Sequence, residues 1–300
     1  MSGPSLPLVT SANELYASLY EHSPSGWYLL ALSRELPAGS VRNVRLGGRE
    51  LVLFRTEGGA VVLADPYCPH LGAHLGHGGC VRGESIECPF HGFRFGVDGR
   101  CVRTPYGAPP PRARLGLVPV NETHGLVLGW LGAPDEAPWF DVPDADIEGW
   151  SEIRVRRYRF RGHPQETTEN GVDTGHFAIV HGYSNVRVLR ELRLEGAYLS
   201  VEYAINRPRS RRVPALGNLY AEFAIHVHGL GYSLVEAWVP ELELRTRYFV
   251  FATPIAQGEL ELAVGFSAPS VRDAMGLSRS RLGAGLGLLD RAAVEVGLDI

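Results

Sequence analysis

Cys68-Pro69-His70 and Cys88-Pro89-Phe90-His91 constrain this chain more than any other feature. Each run offers one thiolate and one imidazole, and seventeen residues separate His70 from Cys88. Mixed pairs of this kind meet the needs of a [2Fe–2S] centre that has two thiolates on one iron and two histidines on the other. A structural zinc site can use the same residue types. Zinc motifs, however, normally group like with like, Cys with Cys and then His with His. Pro69, Gly72, Pro89 and Gly92 punctuate both runs, which predicts two exposed loops meeting tip to tip. Such loops can aim backbone N–H groups at cluster sulfurs and so help set the potential. A chain built around this site handles electrons.

The full stretch, CPHLGAHLGHGGCVRGESIECPFHGFRFGVDG, resembles the Rieske domain of ring-hydroxylating and steroid-type oxygenases. The Rieske proteins of respiratory complexes carry an extra Cys after each ligand pair, forming a disulfide between the loops. Here those places hold Ala73 and Phe90, so that bridge is not expected. Cys80 and Cys101 read as small buried hydrophobes, and His74 and His77 as hydrogen bonders within the loops.

Three hundred residues at 45% hydrophobic content are enough for two domains with cores of their own. The net charge of −4 comes from interspersed acids and bases, which gives no nucleic-acid or membrane footprint. The basic run Arg154 to Arg161 alternates with Val155, Tyr158 and Phe160 and reads as the solvated face of a strand. Four cysteines, two of them assigned to metal, point to a reducing cytoplasm. The N-terminus lacks the basic and apolar segments of a signal peptide, and Trp27 to Leu32 is too short to span a bilayer.

From Trp27 to about Leu131, short β-like runs are cut by Gly and Pro, as expected of an antiparallel β domain. A Pro- and Asp-rich linker follows and ends near Trp150, so the domains are placed at 1–150 and 151–300. The second half opens with a strand, SEIRVRRYRFRG, and one helical segment, HPQETTENGVDTGHFAIVHG. Alternating runs from Glu191 to Ser270 predict an antiparallel meander, and Ser278 to Ile300 returns to helical texture. The expected class is α+β: a β domain, then a curved antiparallel sheet gripping a long helix around a deep, mostly apolar cavity. GAGLGLL near the C-terminus lacks the glycine spacing of a dinucleotide site, so electrons are expected from a separate reductase.

A second constellation comprises Glu169, Asn170, Asp173, His176 and His181. On one helix Asn170, Asp173 and His176 would share a face, whereas His181 would turn away unless the helix ended first. Gly182 makes such an ending plausible. Two unrelated histidines at a helix C-terminus, favoured there by the dipole, are the alternative. ENGVDTGHFAIVHG is similar to the N-x-x-D-x-x-H-x4-H mononuclear-iron motif of Rieske oxygenases. The likeness is closest to the branch holding 3-ketosteroid 9α-hydroxylase and the cholesterol 7-desaturases.

That resemblance implies His176 and His181 as two ligands of a 2-His-1-carboxylate Fe(II) site. Asp173 would link His176 to a Rieske ligand, His91, of a neighbouring subunit in a homotrimer, with Asn170 beside the iron. The third ligand would be Asp299, with Asp290 and Glu295 behind it, or a residue beyond Ile300. The implied activity is O2-dependent hydroxylation or desaturation of a hydrophobic, steroid- or sterol-like substrate, fed by a ferredoxin or flavin reductase. Two alternatives stay open: an oxygenase for aromatic or O-methyl substrates, and an electron-transfer or binding module without catalytic iron. Glu236 and Trp238 could line the cavity, while His226 and His228 read as a polar sheet face.

Overall fold

Glycine turns cut the apolar runs of the first half into short strands. A computed structural model describes residues 23–133, 136–143, 148–208 and 219–269. It begins with β1 (Gly26–Leu32), β2 (Val41–Leu46), β3 (Arg49–Arg55) and β4 (Val61–Ala64). Four shorter strands follow: β5 (Cys80–Arg82), β6 (Ser85–Glu87), β7 (Arg94–Gly96) and β8 (Cys101–Arg103). The half closes with β9 (Leu117–Val118), β10 (Val120–Thr123) and β11 (Leu126–Leu131). They make three small sheets, ordered β1-β11-β10, β2-β3-β4-β9 and β5-β6-β7-β8. The β2–β3 turn shows the local cause. Leu46 pairs with Arg49, and Gly47 and Gly48 between them have φ of +58° and +79°. This mirror-image turn matches strand twist, and glycine enters it without strain.

The second half is one seven-stranded antiparallel sheet. Its strands are β12 (Arg154–Arg161), β13 (Ser184–Glu195), β14 (Tyr198–Arg207) and β15 (Leu219–His228). They continue with β16 (Tyr232–Val239), β17 (Leu244–Ala256) and β18 (Glu259–Ser267), in the order β12-β18-β17-β16-β15-β14-β13. Helices α1 (Pro164–Val172) and α2 (Gly175–Ile179) join β12 to β13. One face of the sheet packs Val201, Tyr203, Ile225 and Val227 against Phe177 of α2. The other face sets Tyr232, Phe249 and Phe251 against Trp27, Leu29 and Trp130 of the first half. Each large side chain buried there contributes roughly 1.5–3 kcal/mol, so the two halves are welded along this seam. Gly47 N–H adds a hydrogen bond to Pro254 O at 2.7 Å.

The expected α+β order is present: an antiparallel β domain, then an antiparallel sheet with helices on one face. The long helix expected at 278–300 lies outside the described residues. The linker packs more tightly than its Pro/Asp content suggests. Phe140 and Val142 join the seam, and Phe140 O accepts from Trp27 Nε1 at 2.8 Å. The basic run forms β12, whose Arg157 pairs with Glu35 and Glu261 at 2.8 and 3.4 Å. Among the described residues no helix is long and apolar enough to cross a membrane.

One expectation is corrected. Residues 164–179 form two helices, so Asn170, Asp173 and His176 share no single helical face. The first ends at Asp173, whose backbone turns extended at ψ 101°. Its Oδ1 takes the Gly175 N–H at 2.8 Å, a local side-chain bond that competes with helical continuation. Asn170 is exposed on α1, and Asp173 sits in the break.

Candidate metal centres

The two cysteine loops are built alike. Cys68 N–H bonds Ala73 O at 2.9 Å, and Cys88 N–H bonds Phe93 O at 2.8 Å. Gly72 N–H returns to Cys68 O at 2.9 Å, and Gly92 N–H to Cys88 O at 3.1 Å. Gly72 and Gly92 need positive φ, +74° and +65°, to make that return. Both thiols point inward, with Cys68 2% and Cys88 3% exposed, whereas His70 is exposed and His91 half-buried. The two imidazole rings stand 4.8 Å apart, and His70 also stacks on Phe93 at 4.4 Å.

Burial, with the neighbouring Cys88 thiol, pushes Cys68 up to about 11 against the pull of the His70 and Leu71 N–H groups. Metal-free Cys68 is therefore protonated at neutral pH, and iron binding there must release its proton. Paired inner thiols, paired outer imidazoles and N–H groups on a sulfur fit a two-iron cluster. Among the described residues no group of three or more His, Cys, Asp or Glu side chains is placed to hold a single ion. All four cysteines are free thiols, including Cys80 and buried Cys101. His74 and His77 are loop hydrogen bonders as expected. His74 Nδ1 accepts from Gly76 N–H at 3.1 Å, and His77 Nδ1 lies 3.5 Å from Asn43 Nδ2.

The second site starts at the helix break. His176 Nδ1 sits 2.5 Å from Asp173 O, which can only accept. Nδ1 is thus the donor, which leaves Nε2 as the nitrogen open to a metal. Helix α2 stops at Ile179, and Gly182 turns through φ +66° just beyond it. The ending brings His181 back to His176, ring centroids 5.1 Å apart. Burial, then the charges of His176 and Arg207, hold His181 below its ordinary range. It is accordingly neutral and able to ligate. Two adjacent imidazoles with lone pairs suit two positions of one ion. The third, Asp299, and the reserves Asp290 and Glu295 lie outside the described residues.

The Asp173 carboxylate is 59% exposed; its Oδ1 holds the Gly175 N–H and its Oδ2 lies 3.7 Å from His176 Nδ1. Asn170 hydrogen-bonds neither histidine among the described residues. Tyr183, stacked on His181 at 5.2 Å, was not singled out by any spacing signal. Glu236 and Trp238 share with His226 and His228 the sheet face opposite Ile225 and Val235. On that face Tyr198 Oη meets His226 Nδ1 at 2.7 Å, and Arg247 Nε donates to Glu236 at 2.9 Å. A cavity of about 240 Å³ opens there too, lined by Trp150, Ile153, Arg247 and Phe249, away from His176 and His181.

Burial, and then His226, drive His228 down to about 4. An unfolded histidine titrates near 6.5, so between these values only the unfolded chain takes the proton. Stability is complete above pH ~6.5 and is lost as pH falls toward 4, by roughly 1 kcal/mol once partial exposure is allowed for. His228→Asn should flatten that loss, compared by urea midpoints at pH ~7 and ~5. Equal acid losses in both proteins would show that another group is responsible.

Comparison with known proteins now bears on the two centres. Residues 26–121 match the Rieske [2Fe-2S] domain, and residues 130–281 match the 3-ketosteroid 9alpha-hydroxylase C-terminal domain. The second match takes in half of the chain. The chain belongs to the 3-ketosteroid 9α-hydroxylase family of Rieske proteins. It is 38% identical over 168 residues to cholesterol 7-desaturase of Xenopus laevis, 53% of this chain and 36% of that one. It is 32% identical over 174 residues to a Rhodococcus rhodochrous 3-ketosteroid-9-alpha-monooxygenase oxygenase component, 56% and 44% of the two chains. The match to these relatives thus spans well under half of their length. In fold the chain is similar to dicamba monooxygenase bound to dicamba, with TM-score 0.64, 23% identity and 81% and 77% of the chains covered. The family's Rieske domain carries a [2Fe–2S] cluster, which agrees with the four-residue set at the loop tips.

Proposed function

We propose that this chain is the oxygenase component of a Rieske non-haem iron system that hydroxylates or desaturates a hydrophobic, steroid- or sterol-like substrate. The observation that carries the reading is the pairing of the Cys68/His70/Cys88/His91 loops with a second, lone-pair-bearing pair, His176 and His181. Family membership and the two named relatives, a desaturase and a monooxygenase component, support the oxidative class. Residues 1–150 form the electron-receiving part and 151–300 the catalytic part. The reading also places the protein in the cytoplasm with a ferredoxin or flavin reductase as partner.

Cys68 and Cys88 would hold the inner iron and His70 and His91 the outer one, the exposed edge through which electrons enter and leave. His176 and His181 would hold the mononuclear iron, with Asp299 or a later carboxylate completing the set. When bound, the two metal groups supply stepwise electrons and the activation of O2. The chain's own work is positioning. Asp173 O fixes the His176 proton on Nδ1, and the Tyr183 ring holds His181 in plane. Apolar Phe177, Tyr203, Phe223 and Ile225 form a floor that excludes water beside the histidines.

Among the described residues the cysteine loops and the α1–α2 break share no hydrogen bond or ring contact. Asp173 faces solvent, so its partner is read as His91 of a neighbouring subunit, in a head-to-tail contact that closes as a trimer. Asp173→Asn should leave both iron sites loaded while turnover falls roughly 100-fold, as orienting carboxylates beside metal ligands commonly require. A steady-state assay alongside iron analysis checks this, and full turnover in the variant would remove Asp173 from the electron path.

The direct test is substrate-dependent O2 uptake by full-length, iron-loaded protein with a working reductase. Coupled product with about three irons per chain is expected; about two irons and no coupling would leave a carrier instead.

A further inference from the structure

Arg207 closes β14 on the same sheet face as Val201 and Tyr203, the face that carries the two histidines. Ser184 pairs with Asn206, so the next step of the ladder brings Tyr183 beside Arg207. Gly182 tightens the junction: a Cβ there would lie 3.5 Å from Pro208 Cγ. From the other side comes Tyr248 of β17, which pairs with Val235 and so points to the same face. In register Tyr248 lies in the row of Val201, through Val235 and Ile225, six residues along β14 from Arg207, so the two are not ladder neighbours. The Arg207 guanidinium does lie within reach of the Tyr248 phenol, and its charge is felt at both Tyr183 and His181.

This cluster stands at the edge of an otherwise apolar floor. Among the described residues Arg207 forms no ion pair with a carboxylate, although it is half-buried. An arginine does not give up its proton, and a cation held in an apolar setting is costly unless an anion or strong acceptor meets it. A neutral ketone or hydroxyl satisfies one N–H and leaves the charge. A carboxylate satisfies both in the forked geometry arginine favours, and the Tyr248 hydroxyl can donate to the same group.

We propose that Arg207 and Tyr248 are the specificity-determining anchor for a carboxylate on an otherwise hydrophobic substrate, held beside His181. The inference rests on the oxygenase reading and narrows its substrate class from hydrophobic molecules in general to hydrophobic acids.

The test uses the full-length, iron-loaded protein and three acids, each against its methyl ester: a 3-keto steroid with a side-chain carboxylate, dodecanoate and a chlorinated benzoate. Equilibrium titration by intrinsic fluorescence gives the dissociation constants. At least one acid should bind wild-type protein roughly 10-fold or more tighter than its ester. Arg207→Gln should weaken that acid about 30-fold and its ester less than about 3-fold, while Arg207→Lys recovers part of the loss. Tyr248→Phe should cost the acid about 5-fold. The acid–ester contrast is read on wild-type protein, so it stands even where a variant folds poorly. No acid preference in the panel, or an unchanged acid affinity in a natively folded Arg207→Gln protein, overturns the anchor. Coupled O2 uptake on neutral substrates with no acid preference in wild-type protein keeps the oxygenase and removes the anchor. Acid-selective binding without a third iron per chain does the reverse.

Discussion

Cys88→Ser is expected to strip the two-iron cluster from the protein, taking iron from about three to about one per chain. The visible Rieske absorbance and the low-temperature resonance of the reduced cluster should vanish together. Reductase-dependent turnover should fall to background, because the proposed route carries every reductase electron through this cluster. The reason is geometric. Cys88 is 3% exposed and faces Cys68 across matched loops, so a neutral hydroxyl there cannot replace a thiolate on the inner iron. The loops should also open, since metal binding and local folding share one free energy. Faster amide exchange at residues 68–73 and 88–93 would register it. A variant that kept the visible spectrum would place the cluster on other residues.

His181→Ala produces the complementary result. Iron should drop only from about three to about two per chain, with the Rieske spectrum unchanged. Product formation should fall to background, since two adjacent ligands on a half-buried site cannot be reduced to one without losing the ion. The variant also loses the ring stacked on Tyr183, about 0.5–1.5 kcal/mol of packing, so a modest drop in thermal midpoint is expected alongside. Metal analysis separates the two effects: a destabilised protein that still carried three irons would remove His181 from the ligand set. Taken as a pair, the two variants distinguish an oxygenase from an electron carrier, because a carrier would tolerate the second and not the first.

Much of this was written locally in the chain. The Cys68 and Cys88 runs carry their own glycines, so each loop closes within six residues, from Cys68 to Ala73 and from Cys88 to Phe93. The Ile225/His226 alternation was legible for the same reason. The single long helix was misread because the Asp173 side chain, which bonds Gly175 N–H, competes with the i, i+3 pattern that its neighbours otherwise satisfy. The break matters, since it sets the Asp173 carboxylate in solvent and turns His181 back onto His176.

By itself, then, the sequence determined the chemistry: which residue types, in which short runs, can hold iron and sulfur. Those properties depend on neighbours a few residues apart. Tertiary structure decided what surrounds His176 and His181. Arg207, Tyr248 and Tyr183 lie up to 65 residues apart and carry no common spacing. They meet because antiparallel register puts alternate side chains of distant strands on one face, and a register is fixed only when the whole sheet buries its apolar side.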